Sequence, residues 1–356
     1  AKSLAVAGTH GKTTTTSMLM LMLAEARLRP SFIVGGDVTD VGTGAHWSGG
    51  EWLVVEADES DGTHVELPLY GTIITNIETD HLDHYGSLQG IIDSFDTYLS
   101  QIPGPKVVSA DDEVANELGA KHGATTFGLS AGADIRAVDV AAAEGSFTFA
   151  VERRTTHGIE RLGTIDLPMR GIYNVRNALG ATAMALQIGV GFGDIAAALA
   201  KFGGVARRFD VRGVHSGATF VDDYAHLPTE IDSVLTGARD SGDGWNRLIA
   251  VFQPNRFNRI SEIWRDYADA FGQADLVVLT DIYASGTTPI PGITGKLIVN
   301  AVTEAHPDLR VVWLPSRSDL VSFVAGEARS GDVVISMGCG DIASFPSEVL
   351  DARRSA

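Results

Sequence analysis

The sequence predicts an α/β protein with two domains, each built on a mostly parallel sheet with helices packed on both faces. Three observations lead to this prediction. Short apolar runs alternate with longer helix-like runs in both halves of the chain, which is the pattern of βαβ units. A glycine pair, Gly203-Gly204, interrupts this alternation. The chain has 356 residues, more than one typical domain of roughly 100–200 residues needs.

The first part of the chain contains four strand-like and three helix-like runs. The strand-like runs are short and rich in β-branched residues, at residues 4–8, 52–58, 71–77 and 106–110. The helix-like runs are longer, at residues 13–28, 88–102 and 112–123. Because parallel strands require crossover connections, this order predicts a parallel sheet covered by helices.

The pattern then changes before the glycine pair. Three strand-like runs joined by glycine-containing turns lie at residues 134–140, 146–153 and 159–168. Short connections of this kind predict a small antiparallel sheet appended to the first domain. Two helices are predicted next, at residues 174–190 and 194–203, each ending at a glycine.

After the glycine pair the βαβ alternation resumes. Strand-like runs lie at residues 219–225, 247–253, 275–283, 311–315 and 332–340. Helix-like runs lie between them, at residues 259–272, 295–307 and 318–328. We therefore expect a first domain over residues 1–206 and a second, Rossmann-like α/β domain over residues 207–356.

Composition and charge exclude several classes of protein. Hydrophobic residues make up 44% and charged residues 20% of the chain, as in globular proteins, and no run of about 18 apolar residues predicts membrane insertion. The formal net charge of −18 disfavours general binding to nucleic acid, whose phosphates require clustered Lys and Arg. A single cysteine, Cys339, cannot form an intramolecular disulfide, and no secretory leader is recognisable, so we expect a cytoplasmic protein.

The turn between the first strand and helix carries the groups that bind phosphate. In "GTHGKT", residues 8–13, glycines allow backbone N–H groups to approach a ligand, Lys12 supplies positive charge and Thr13 a hydroxyl for Mg²⁺. The spacing differs from the usual G-x-x-x-x-G-K-[ST] motif, because Gly8 lies two residues closer to Gly11 than the first glycine of that motif does. The alternative is a simple glycine turn before a helix.

Acidic residues follow the next two strands at the predicted carboxyl edge of the sheet. The first group is Glu56, Asp58, Glu59 and Asp61, and the second adds Asp80, His81, Asp83 and His84. Carboxylates and histidine at neighbouring strand ends suit divalent cations. The alternative is a pair of solvated acidic loops, and His84 in particular fits a surface residue.

Three further groups follow strands in the second half. His226 lies in "VDDYAHLPTE", and Arg256 and Arg259 lie in "FQPNRFNR". The two arginines are three residues apart at a predicted helix start, so both can bind one carboxylate. The alternative is a pair of surface arginines. Cys339 fits a buried structural thiol better than a nucleophile.

Together these segments resemble the Mur ligase family. The segments "GTHGKTTT", "EADESD", "TNIETDHLDHYG", "RRFD", "DDYAH", "FQPNRFNR" and "DIYASG" occur here in the order of that family, over essentially the whole chain. The resemblance implies that residues 1–206 are the central P-loop ATPase domain and residues 207–356 the C-terminal amino-acid-binding domain. It also implies that the family's N-terminal UDP-sugar domain is missing here, which would impair activity.

The resemblance further implies an activity and its substrates. Mur ligases join a carboxylate to an amine through an acyl phosphate, with ATP and Mg²⁺, here two ions. "EADESD", "DDYAH" and "DIYASG" are similar to the members that join L-alanine to UDP-N-acetylmuramate in peptidoglycan precursor synthesis. Alternatives are a ligase that recycles murein peptides and a P-loop module without ligase activity. We expect a monomer or a weak homodimer.

The resemblance also implies the roles of individual residues. The catalytic residues are Lys12, Glu56, His81, Arg208 and His226. The ATP-binding residues are Gly8, Thr9, His10, Gly11, Lys12, Thr13, Thr14, Asn174, Asn177, Arg208 and Asp223. The metal-binding residues are Thr13, Glu56 and His81. The residues facing the amino-acid substrate are Tyr224, His226, Arg256 and Arg259.

Three positions depart from the family pattern. Tyr173, Leu227 and Asn255 each stand where these ligases usually carry histidine. We expect the first to affect the adenine contact and the other two to affect selectivity for the amino acid.

Overall fold

The computed structural model describes residues 1–60, 62–79 and 82–355, and only the backbone of residues 63, 82 and 83. The chain forms two compact units, Ala1–Val205 and Ala206–Ala356. Each unit is an α/β structure, as predicted, and each is built on one sheet.

The first unit is built on a ten-stranded sheet in the order β10-β9-β8-β7-β6-β5-β1-β4-β2-β3. The strands from β1 to β7 are Lys2–Ala7, Ser31–Val38, Thr43–His46, Trp52–Glu56, Gly71–Ile74, Lys106–Ser109 and Thr125–Gly128. The remaining strands, β8 to β10, are Ile135–Ala143, Ser146–Thr155 and Gly158–Leu167. In the centre, β1 pairs in parallel with both β4 and β5. Because these three strands are parallel, their carboxyl ends lie at one edge of the sheet.

The predicted antiparallel strands are present, but they do not form a sheet of their own. β8 pairs in parallel with β7, and β9 and β10 then add in antiparallel order. Strand β8 therefore continues the main sheet, which is why the two predicted sheets are one.

Helices cover both faces of this sheet. The helices from α1 to α6 are Lys12–Glu25, Leu82–Tyr85, Leu88–Gln101, Glu113–His122, Ile172–Gln187 and Phe192–Ala200. A 3-10 helix covers Thr63–Glu66. One core contains buried side chains of α1, α5 and α6, and the other contains those of α3 and α4. Burial on both faces explains why the central strands are continuous apolar runs.

The second unit is built on a six-stranded sheet in the order β11-β12-β16-β13-β14-β15. Its strands, β11 to β16, are Asp210–His215, Ala218–Asp223, Arg247–Phe252, Leu276–Leu279, Arg310–Trp313 and Asp332–Met337. Its helices, α7 to α11, are Pro228–Arg239, Phe257–Ile263, Lys296–Ala305, Arg317–Glu327 and Phe345–Ser355. All strands except β11 run in parallel, so their carboxyl ends also share one edge.

Some elements differ from the sequence-based prediction. Strands β2, β3, β7 and β11 and helices α7 and α11 were not predicted. Within β2 the sequence "VGGDV" interrupts the apolar pattern with two glycines. The helix predicted over residues 259–272 is divided, since α8 ends at Ile263 and a 3-10 helix covers Trp264–Ala268.

No helix in the described part of the chain is long and apolar enough to cross a membrane.

The packing of α4 on β6 gives a test of this fold. A Cβ on Gly119 of α4 would overlap Cγ2 of Val108 and lie 3.3 Å from its Cβ. Gly119→Ala should therefore lower the free energy of unfolding by about 1–3 kcal/mol, although alanine favours helix. The control is Gly193→Ala in α6, where nothing lies within 4 Å of the new Cβ, and it should stabilise by about 0.5–1 kcal/mol. Urea unfolding measures both, and equal effects would contradict the packing described.

Candidate active site

The central strands of the first unit bring three segments of sequence together. Val6 of β1 pairs with Glu56 at the end of β4, and Ala7 pairs with Ile74 at the end of β5. The phosphate-binding loop, residues 8–11, therefore lies between the acidic segment after β4 and residues 75–78 after β5. In parallel α/β sheets, ligands bind at this edge.

Two glycines of the loop have no room for a side chain. Gly8 has φ +124°, and a Cβ there would lie 2.7 Å from the carbonyl oxygen of Asn76. Gly11 has φ +81°, and a Cβ there would overlap Oδ1 of Asn177. Both positions require glycine, because other residues rarely adopt these angles and would collide with neighbouring atoms.

The segment after β5 holds the loop in place. Asn76 accepts a hydrogen bond from the backbone N–H of His10 at 2.8 Å and donates one to its carbonyl at 3.2 Å. Thr75 also donates to the His10 carbonyl, at 2.6 Å, and the N–H of Glu78 donates to the hydroxyl of Thr9 at 2.9 Å. Glu78 lies 3.3 Å from the His10 ring as well. The loop backbone is thus fixed before a ligand binds.

The first turn of α1 leaves donors for an anion. Among the described residues, none accepts a hydrogen bond from the N–H groups of residues 11–14. These are the first amides of a 14-residue helix, and they carry the positive end of its dipole. This part of the loop can bind phosphate oxygens.

Lys12 extends back over the loop. Its Nζ donates to the carbonyl oxygens of Gly8 at 2.7 Å and Thr9 at 3.3 Å, and to Oε1 of Glu59 at 2.9 Å. The ammonium therefore lies over the backbone where the loop would hold a phosphate, and it is paired with a carboxylate.

Thr13 and Glu56 form a pair of oxygen ligands beside the loop. The Thr13 hydroxyl donates to Oε1 of Glu56 at 3.1 Å, and the N–H of Gly35 donates to its Oε2 at 2.9 Å. In the described part of the chain Glu56 has no cationic partner. A hydroxyl and an otherwise unbalanced carboxylate are donors that fit Mg²⁺.

The other predicted metal ligand, His81, lies outside the described residues, as do Asp61, Asp80 and the side chain of Asp83. Among the residues that are described, no cluster of three or more His, Cys, Asp or Glu could hold a metal ion. His84 is exposed, as a surface residue would be.

Helix α5 brings two asparagines to the phosphate-binding loop. Asn177 donates to Oδ1 of Asn174 at 3.1 Å, and Asn174 donates to the carbonyl of Arg170 at 2.7 Å. Both side chains are buried, and Oδ1 of Asn177 lies against Gly11. The structure therefore places these residues beside the loop, and their predicted adenine contact stays a prediction.

In the second unit the carboxyl ends of β12, β13, β14 and β16 meet at one edge. Tyr224 follows β12, and its N–H donates to the carbonyl of Arg207 at 2.8 Å. Arg256 follows β13, and its N–H donates to the carbonyl of Tyr283 after β14 at 2.9 Å. The predicted residues of this unit thus follow strand ends at the same edge of the sheet.

Two buried aspartates end β12. Asp222 is fully buried and binds Nε of Arg207 at 3.0 Å. Asp223 accepts hydrogen bonds from the N–H groups of Phe209 at 2.7 Å and Ala225 at 2.8 Å. Burial raises the pKa of Asp223 to about 6 although the charge of Arg208 opposes the change.

Arginines also surround Tyr224. The guanidinium groups of Arg207 and Arg208 lie 5.0 and 5.1 Å from its ring centre, a cation–π distance. Arg207 further donates to the carbonyl of Gly338 at 2.7 Å. Arg208 was the residue singled out from the sequence, whereas Arg207 makes the ion pair with Asp222 and the contact with Gly338, which follows β16.

His226 is held by its Nδ1 side. That nitrogen lies 3.1 Å from the carbonyl oxygen of Tyr224 and 3.2 Å from Oε2 of Glu230. Both neighbours are acceptors, so Nδ1 carries the hydrogen and the lone pair of the neutral ring is on Nε2. Glu230 also accepts the N–H groups of His226 and Leu227 at 2.8 and 3.1 Å, which fixes the start of α7.

The two predicted arginines lie at the start of α8. Arg259 donates to Oδ1 of the buried Asn255 at 3.0 Å. Arg256 has φ +60°, and this rare angle aims its backbone differently from a helical residue. Asn255 is one of the positions that depart from the family pattern, and here it orients Arg259.

Cys339 lies beside these arginines. Burial raises the pKa of its thiol, while the charges of Arg259, Arg207 and Arg256 act in the opposite direction. A thiol that stays protonated is a poor nucleophile, as a structural residue would be, although Cys339 is only partly buried and not buried as predicted.

Two features of the phosphate site were not predicted, the role of Asn76 and the pairing of Glu59 with Lys12. Asn76 holds the loop and Glu59 pairs with Lys12. Asn76 follows β5 directly, the strand-end position used to select the acidic residues, and this signal could have identified it. Glu59 was among the carboxylates predicted to suit a divalent cation, with a solvated loop as the alternative, yet it is only 4% exposed and its partner is Lys12.

The raised pKa of Asp223 predicts a pH effect on stability. In the unfolded chain an aspartate has a pKa near 3.9, and in the fold it is about 6, so the folded state binds the proton more tightly. The stability from this group is therefore complete below about pH 4 and is lost as the pH rises to 6, by about 2–3 kcal/mol. Comparing urea unfolding of the wild type and Asp223→Asn from pH 4 to pH 7 measures it, because asparagine does not titrate. Parallel profiles would contradict the assignment.

Family models match both units. The model of the Mur ligase middle domain matches residues 6–185, and the model described as Mur ligase, glutamate ligase domain matches residues 207–340. A UDP-N-acetylmuramate–L-alanine ligase of Trichlorobacter lovleyi is 41% identical over 346 residues, which are 95% of this chain and 74% of that protein.

Solved structures give the same result. The crystal structure of the UDP-N-acetylmuramate-alanine ligase MurC of Thermotoga maritima is similar with a TM-score of 0.83 and 28% identity, over 99% of this chain and 76% of that one. A murein peptide ligase of Psychrobacter arcticus is similar with a TM-score of 0.68 and 27% identity, over 99% and 78%. These matches span both units and the loop described above, and the chain belongs to the Mur ligase family.

Proposed function

We propose that this protein ligates L-alanine to UDP-N-acetylmuramate with ATP, in the synthesis of peptidoglycan precursors. The observation that carries the proposal is the preformed phosphate loop with Lys12, Thr13 and Glu56, in a chain 41% identical to an enzyme named for this reaction. Residues 1–206 are the ATP-binding domain and residues 207–356 the amino-acid-binding domain in this proposal. ATP is a cytoplasmic substrate, so the reaction belongs in the cytoplasm.

The phosphate loop binds the triphosphate of ATP. The N–H groups of residues 11–14 meet phosphate oxygens, and Lys12 neutralises the β- and γ-phosphates. Gly8 and Gly11 allow the backbone to approach the ligand, while Thr9, His10 and Thr14 complete the loop. Asn174 and Asn177 support it from α5 and direct the adenine.

Mur ligases use ATP and Mg²⁺. In this chain Thr13 and Glu56 would hold one ion, since their oxygens lie 3.1 Å apart and Glu56 has no cationic partner among the described residues. We assign His81 to a second ion. When bound, Mg²⁺ offsets the phosphate charge.

The electrostatic difficulty of the reaction is the approach of a carboxylate to a phosphate. The muramoyl carboxylate attacks the γ-phosphoryl group of ATP and ADP leaves, which gives an acyl phosphate. The amine of L-alanine then attacks the acyl carbon and displaces inorganic phosphate, which forms the amide bond. A chain with a net charge of −18 requires local positive groups for the first step. Lys12 and Arg208 supply them in this proposal.

The amine must lose a proton before or during its attack. His226 is the base in this proposal, because its lone pair is on Nε2 when Nδ1 faces Tyr224 and Glu230. Tyr224 packs edge-on against the His226 ring, with centres 5.5 Å apart, and limits its rotation. Asp223 holds the segment between β12 and His226, because its carboxylate accepts the N–H of Ala225.

The carboxylate of L-alanine binds Arg256 and Arg259. A guanidinium pair at a helix start suits a carboxylate, since each group offers parallel N–H donors. The hydrogen bond from Arg259 to Asn255 at 3.0 Å holds one member of the pair. The greater similarity to the alanine ligase than to the murein peptide ligase, with TM-scores of 0.83 and 0.68, favours the single amino acid.

The first prediction concerns turnover. In the full-length protein, phosphate release from MgATP should require both UDP-N-acetylmuramate and L-alanine, and Lys12→Ala should abolish it, because the phosphates lose their charge partner. A coupled phosphate assay measures both. Release without the two substrates would favour a P-loop module without ligase activity, and preference for a tripeptide over L-alanine would favour the recycling ligase.

The second prediction concerns the amino acid. Arg256→Ala should raise the KM for L-alanine about tenfold or more with a smaller effect on the KM for ATP, because it removes a carboxylate ligand. The matched control is Arg265→Ala, an exposed arginine stacked on Trp264, which should change neither constant. An unchanged KM for L-alanine in Arg256→Ala would remove this residue from the site.

A further inference from the structure

The ammonium group of Lys12 is fully occupied in the structure. It has three N–H donors, and three acceptors lie around it: the carbonyls of Gly8 and Thr9 and a carboxylate oxygen of Glu59 at 2.9 Å. The Lys12 side chain is 13% exposed and that of Glu59 is 5% exposed. A phosphate oxygen can reach Lys12 only by replacing one of these acceptors.

Of the three acceptors around Lys12, Glu59 is the one whose side chain is a buried carboxylate. Its residue is 4% exposed, and its Oε2 has no hydrogen-bond partner among the described residues. Its backbone is anchored, because the hydroxyl of Tyr85 and the N–H of Gly62 both donate to its carbonyl oxygen. Burial raises the pKa of Glu59 while the charge of Lys12 opposes the rise. The ion pair with Lys12 is therefore the main compensation for burying this carboxylate.

The backbone acceptors are less easily displaced. Gly8 and Thr9 belong to the loop that Thr75, Asn76 and Glu78 fix by hydrogen bonds. Glu59 is also the acceptor that carries a negative charge, and an incoming phosphate repels it. A phosphate that binds Lys12 therefore has to replace the carboxylate of Glu59.

We propose that Glu59 is a positioning residue that competes with nucleotide phosphate for Lys12. Its carboxylate holds the ammonium over the loop before a nucleotide binds and releases it when the phosphates bind. The inference rests on the proposed function, since it requires that the loop binds a nucleotide. Nucleotide affinity is consequently lower than the loop by itself would provide, which favours release of ADP after each reaction.

The test is the affinity for ADP in the presence of EDTA, measured by isothermal titration calorimetry. ADP without metal isolates the competition at Lys12 from any ion at Glu56. Glu59→Gln keeps the size of the side chain and removes its charge, and it should bind ADP about three- to tenfold more tightly than the wild type. A merely structural defect would weaken binding, so a gain in affinity is diagnostic.

Two variants serve as controls. Asp58→Asn removes the same charge one residue away and should leave the affinity for ADP unchanged. The Asp58 side chain is exposed and accepts a hydrogen bond from the N–H of Ser60. Glu59→Asp keeps the charge and should stay near the wild type. Unchanged or weaker ADP binding in Glu59→Gln would overturn the inference, and so would an equal gain in Asp58→Asn. No ADP binding by the wild type, either in EDTA or with Mg²⁺, would instead overturn nucleotide binding itself, and the role of Glu59 with it.

Discussion

The parallel pairing of β1 with both β4 and β5 is the constraint on which the first unit depends. It places the ends of three strands side by side, with Val6 opposite Glu56 and Ala7 opposite Ile74. The contacts of the phosphate loop with the segments after β4 and β5 follow from this register. A shift of one residue would turn the alternate side chains to the opposite face and separate the loop from its supports.

Both units place an important cation against a buried acid. Lys12 pairs with Glu59 in the first unit, and Arg207 pairs with the fully buried Asp222 in the second. Such pairs contribute little net stability, because desolvation of the charges offsets their attraction, but removing one partner is costly. Their effect is to fix where the positive charge lies. A chain with a net charge of −18 needs its cations held in this way if it is to bind phosphate and carboxylate groups.

Much of the fold was predictable, because helices and buried strands have local signatures. The alternation of apolar and helix-like runs identified the α/β class and most elements of both sheets. The failures have physical causes. In β2 the pair Gly35-Gly36 interrupts the apolar pattern by which a strand is predicted. The N–H of Gly35 nevertheless donates to the carboxylate of Glu56 in the site. The antiparallel strands were recognised, but their attachment to β7 depends on a pairing that spacing does not encode.

The sequence by itself determined the family, the phosphate loop and the types of residue at each strand end, since these are properties of short segments in a given order. Only the tertiary structure decided which of those residues meet. Lys12 and Glu59 are 47 positions apart in the sequence, and Asn76 and His10 are 66 positions apart. Those partnerships depend on the order of strands in the sheet, because that order alone brings distant strand ends within hydrogen-bonding distance.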